Sequence, residues 1–116
     1  RVGRGQIGLR VFPPAVVREY LRCFDARGVH ATCEDYRAAA GIDLVHDRKD
    51  QGRKLAMPVL ALWARHSPVG TMFDCLADWR EVARDVRGKA LDCGHFLPEE
   101  KPAQVLAELR RFLARR

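Results

Sequence analysis

The stretch MPVLALW, residues 57–63, is a continuous apolar run of strand length. Alternating polarity would mark a strand with one wet face, whereas an unbroken run marks a strand covered on both, as in a parallel sheet. Downstream, Cys75, Leu76, Trp79, Val82, Ala83 and Val86 recur at helical spacing and predict a helix over about 72–86, with Gly88 ending the segment. VRGKALD, residues 86–92, then supplies a second short strand. Strand, helix and strand in that order make a parallel pair, because a parallel connection needs a crossover of about a dozen residues or more. Two parallel strands are hard to stabilise alone, so the chain reads as the last third of a larger α/β protein.

The flanking segments are helical. Val16, Val17, Tyr20, Leu21 and Phe24 form one apolar face over residues 13–24, with Pro13 and Pro14 suited to a first turn. Val29, Cys33, Tyr36 and Ala40 form another stripe, which closes at Gly41 and is expected to turn Tyr36 inward. Residues 42–54 are heavily charged and read as a short helix running into a solvated boundary. The final helix, over 102–115, carries Val105, Leu106, Leu109, Phe112 and Leu113 on one face, with Glu99 and Glu100 at its positive N-terminal end.

At 116 residues, 47% hydrophobic and 31% charged, the chain suits one soluble domain with a modest core, and no apolar run approaches a membrane span. It opens on Arg without a signal peptide and is expected to be part of something longer. Cys23, Cys33, Cys75 and Cys93 make no C-x-x-C pair and have no histidine at zinc-finger spacing, so they read as small core residues in a reducing, cytoplasmic compartment, with no metal and no cofactor. The net charge of +6 is spread among acids, apart from Arg110, Arg111, Arg115 and Arg116, and lacks aromatic interleaving, so no nucleic-acid partner is expected.

Chemistry is expected at His95. In open α/β sheets ligands bind outside the carboxyl ends of the strands, and His95 follows the second strand on a loop where Gly94 would allow a sharp turn. An imidazole there can take a proton from water if a carboxylate holds its other nitrogen. The alternative from the residues alone is a loop histidine that caps the next helix.

Three separated motifs narrow the reading: YLRCF at 20–24, CEDYRAAAGIDLVHDRKDQGRKLAMPVLALW at 33–63 and CGHFLPEEKP at 93–102. In that order they resemble the C-terminal part of the fluoroacetate (haloacetate) dehalogenases of the α/β-hydrolase fold. The resemblance implies that residues 1–54 are the end of a helical cap and residues 55–116 the last two strands and helices of the core. It also implies a haloacid substrate and a two-step reaction, in which an aspartate displaces the halide and a histidine-activated water hydrolyses the resulting ester. His95 matches the family's base. Tyr36 matches a cap residue that donates a hydrogen bond to the departing halide. The nucleophile, the orienting aspartate and the arginines that bind the substrate carboxylate belong to the family's N-terminal portion and have no counterpart here. The family often forms homodimers.

Asp74 lies too far beyond its strand to be the triad acid, and Arg37 has Glu34 and Asp35 as ordinary partners. His30, His46 and His66 read as surface or capping residues, and Trp63 and Trp79 as core. Two other readings stand: another α/β hydrolase such as an epoxide hydrolase, which uses the same histidine position, or a small basic α/β module that binds a partner through the surface the missing strands would cover, with its exposed strand edges and apolar face.

Overall fold

The computed structural model describes residues 8–114, so the expected C-terminal cations Arg115 and Arg116 lie outside the described residues. The chain divides into two units, one of Phe12–Arg53 and one in which Lys54–Arg116 is joined by the preceding short 3-10 turn, Gly8–Val11.

The first unit is helical: α1 (Pro14–Cys23), α2 (Ala26–Ala39) and α3 (Ile42–Lys49). Pro14 opens α1, where its missing N–H costs nothing. Helix α2 begins three residues before the predicted start because Asp25 caps it, its side chain accepting from the Gly28 amide at 2.8 Å. None of these helices has a buried residue. The inward reading of Tyr36 is therefore corrected: its side chain is 75% exposed. A stripe becomes a buried face only where another element lies across it, and this face of α2 has no such cover within its unit.

The second unit contains β1 (Val59–Ala64), α4 (Pro68–Met72), α5 (Cys75–Val82), β2 (Val86–Leu91), α6 (Leu97–Glu100) and α7 (Pro102–Leu113). The strands pair in parallel, from Val59 opposite Val86 to Ala64 opposite Leu91. One predicted helix over 72–86 becomes two helices and the start of β2. Ser67 caps α4 ahead of Pro68, Asp74 caps α5 by accepting from the Ala77 amide at 3.1 Å, and Val86 is already strand.

Strand β1 was expected to be covered on both faces, yet only Ala61 and Ala64 are buried and the rest of the strand is half-buried. The core is small: Ala64, Leu91 and Cys93, with Leu97 and Val105 packed against them. It sits where the strands end and α6 and α7 begin. Trp63 is half-buried on β1, whereas Trp79, expected in the core, is 40% exposed on α5. Of the four cysteines only Cys93 is buried, and Cys23 and Cys33 are exposed, because they lie in the unit without a core. Glu108 ties α7 to the sheet by accepting from Lys89 of β2 at 2.7 Å and from Arg111 at 2.7 Å. These two cations hold its carboxyl below the ordinary range, the Lys89 hydrogen bond being the larger cause.

Candidate active site at the carboxyl ends of the strands

The two loops that leave the strands are tied to each other. The Arg65 amide donates to the Leu91 carbonyl at 2.9 Å, and the His66 amide donates to the Cys93 carbonyl at 3.4 Å. Buried Ser67 closes the first loop by donating its hydroxyl to the Ala64 carbonyl at 2.9 Å. In the second loop the Cys93 amide returns to the Leu91 carbonyl at 2.9 Å, an immediate reversal at the strand end. Burial pushes the Cys93 thiol above its ordinary value, with the Glu100 carboxylate adding to the effect.

His95 projects from this second loop. Its side chain is exposed, and its ring meets Phe96 edge-on, with centroids 5.1 Å apart at 80°. The glycine beside it does not act through a left-handed turn: among the described residues Gly52 alone has a positive φ. Gly94 is instead buried, and its amide donates to Glu100 Oε2 at 2.6 Å. The Phe96 amide donates to Glu100 Oε1 at 3.1 Å. One carboxylate thus receives the N–H groups on both sides of His95. Sequence reasoning placed Glu100 at a helix end and missed this use of it, although an acid following a histidine turn by one helical turn is the kind of spacing that lets a side chain reach back to loop amides.

A second imidazole stands at the same edge. His66 Nε2 and Asp92 Oδ1 are 2.6 Å apart, joining the loop after β1 to the loop after β2. This hydrogen bond holds the Asp92 carboxyl below its ordinary value, with the electrostatic attraction of the same ring as the next cause. The sequence presents His66 as a surface or capping residue. It is a surface residue, but a paired one, and the pair joins residues too far apart in sequence for spacing to reveal. His66, Asp92, Cys93, Gly94, Glu99 and Glu100 are among the residues that line an open cleft of about 510 Å³.

Tyr36 is described in the helical unit and His95 in the strand unit. On α2, Arg37 pairs with Glu34, and His30 lies 3.9 Å from the same carboxylate, so all three are occupied on the helix surface. Asp74 serves as the cap of α5. Among the described residues no group of three or more His, Cys, Asp or Glu is arranged to hold a metal ion, and no helix is long and apolar enough to cross a membrane.

No family model matches the chain. It is 30% identical to a fluoroacetate dehalogenase from Burkholderia sp over 97% of its own length and 37% of the relative's. It is 34% identical to a soluble epoxide hydrolase from Corynebacterium sp. (strain C12) over 90% of its length and 35% of the relative's. Among solved structures, ALR0039 from Nostoc sp PCC 7120, a candidate alpha/beta hydrolase, superposes with a TM-score of 0.83 at 50% identity, covering 91% of this chain and 37% of that one. The chain therefore spans a little over a third of the length of these three proteins, and in the Burkholderia relative that third is the C-terminal part.

Proposed function

Starting from a chain that has the fold of the C-terminal part of the α/β hydrolases, we propose that it supplies the base of a hydrolase that cleaves the carbon–halogen bond of a small haloacid. The observation that carries this reading is the placement of His95: an exposed imidazole just beyond the carboxyl end of β2, on a loop fixed at both neighbouring amides. A base that removes a proton from water has to be open to water and held still, and this position meets both needs. The likeness to the Burkholderia fluoroacetate dehalogenase supports the choice of substrate class.

In the reaction as proposed, a carboxylate supplied by the N-terminal portion of the fold attacks the carbon bearing the halogen, and the carbon–halogen bond breaks as halide leaves with its electron pair. His95 then takes a proton from water while the water oxygen attacks the ester carbonyl. Collapse of that adduct breaks the acyl carbon–oxygen bond, His95 returns its proton to the leaving alkoxide to release the hydroxy acid, and the second proton of the water passes to solvent as the carboxylate is regenerated. Tyr36 is proposed to donate its phenolic hydrogen to the departing halide, a role for which the exposure of its side chain on α2 leaves the hydroxyl available. The four free thiols suit a reducing cytoplasm as the site of the reaction. The second reading, an epoxide hydrolase, is favoured by the likeness to the Corynebacterium enzyme.

The test is to join the chain to the N-terminal part of the Burkholderia relative and assay halide release from fluoroacetate and chloroacetate, alongside diol formation from epoxides. Halide release is expected, with His95→Ala trapping a covalent ester visible by mass spectrometry of the intact protein. Tyr36→Phe is expected to slow fluoride release about tenfold and chloride release less. Diol formation without halide release would replace the haloacid reading by the epoxide one, and turnover undiminished in His95→Ala would remove His95 from the chemistry.

A further inference from the structure

Residues 92–96 must reverse the chain between β2 and α6 while leaving one imidazole in solvent. Gly94 is buried there, and a buried amide cut off from water needs an acceptor within the protein. Its acceptor is Glu100 Oε2 at 2.6 Å, and the other oxygen of the same carboxylate accepts from Phe96 at 3.1 Å. Glu100 is itself fixed, because its amide donates to the Phe96 carbonyl at 2.9 Å as part of α6. Backbone and side chain thus close a ring around His95 in which the residue on each side of it is held by its amide.

We propose that Glu100 is a positioning residue for His95, its bidentate grip on the Gly94 and Phe96 amides fixing the backbone from which the imidazole projects. The inference rests on His95 being the base of the proposed reaction, and it adds a residue that acts without touching substrate. A charged carboxylate suits the task, since it accepts two bonds at once and each is charge-assisted. Glutamine has the same length but offers a single oxygen, and alanine offers none.

Amide hydrogen exchange and nitrogen-15 relaxation of the 116-residue protein and its Glu100→Gln and Glu100→Ala variants test this without substrate. The Gly94 and Phe96 amides are expected to exchange about tenfold faster for each bond lost, so one amide responds in the Gln variant and both in the Ala variant. The His95 backbone order parameter is expected to fall from about 0.85 toward 0.6 or below in the Ala variant, with the Gln variant between. Amides within β2, such as Lys89, serve as the internal control and should keep their protection. If Gly94 and Phe96 keep wild-type exchange in both variants, or if His95 keeps its order when they are released, Glu100 does not position it. Because no turnover is read, this outcome is separate from failure of the halide-release assay, which bears on the reaction alone.

Discussion

Gly88→Ala is the substitution for which the structure sets the largest cost. Gly88 pairs with Ala61 across the parallel ladder, and a β-carbon added to it would lie 1.9 Å from the Ala61 carbonyl oxygen and 2.8 Å from the carbonyl carbon. A carbon rests about 3.3 Å or more from a carbonyl oxygen, so the strands would have to part locally by roughly 1.4 Å. Strands sit about 4.8 Å apart, and a gap of that size breaks the adjoining ladder bonds. Two bonds at about 1 kcal/mol each, with about 1–3 kcal/mol of packing strain, give a cost on the order of 3–5 kcal/mol. That is a large share of the roughly 5–15 kcal/mol that holds a domain folded. Urea unfolding followed by the fluorescence of Trp63 on β1 and Trp79 on α5 should show the midpoint falling by about 1.5–5 M, for a slope of about 1–2 kcal/mol/M. Gly52→Ala is the control: φ there is +86° with nothing within 4 Å of the added carbon, so its cost is backbone strain alone, about 1–2 kcal/mol. A Gly88→Ala midpoint within about 0.5 M of the parent, or above that of Gly52→Ala, would refute the close approach of the two strands.

Two further outcomes follow from the site and the thiols. The Asp92 carboxyl is held below its ordinary value of 3.8 by the His66 hydrogen bond, so its contribution to stability is complete above that value and is lost as pH falls through the lower, folded one. The urea midpoint of Asp92→Asn should therefore lie below the parent's near neutral pH and approach it as the medium is made more acidic than the ordinary carboxylate range, and a gap that does not narrow with acid would contradict the pairing. A disulfide reagent should label exposed Cys23 and Cys33 first and reach buried Cys93, whose thiol burial pushes upward, only on unfolding. Labelling of Cys93 as fast as that of Cys23 would contradict its place in the core.

The parts of the fold that were legible in the sequence are those written locally. Val16, Val17, Tyr20 and Leu21 fall within α1, and the parallel strands fall where the apolar run and VRGKALD placed them. Burial was not legible, because periodicity records which residues share a face and says nothing of what lies across it. Tyr36 and Trp79 both belong to apolar stripes, and both are exposed. The split between α4 and α5 was legible in principle: Ser67 before Pro68 and Asp74 before Cys75 are cap signals, overridden in the reading by an apolar spacing that ran on through Val82 to Val86.

The site divides along the same line. His95 could be placed from order alone, since strand, glycine, histidine and proline-led helix put it at the carboxyl end of β2 whatever the side chains do. Its orientation could not, because that depends on where two backbone amides find an acceptor. The sequence presents two adjacent acids, Glu99 and Glu100, both plausible as partners of a helix N-terminus. Only the fold shows that Glu100, which closes α6, turns back to the Gly94 and Phe96 amides instead. The same holds for His66 and its carboxylate partner. His66 and Asp92 stand 26 residues apart, and the parallel register that sets Ala64 beside Leu91 brings the two loops together. A parallel sheet thus converts distant loop residues into neighbours at one edge, and it is the pairing of the strands that determines which side chains can meet there.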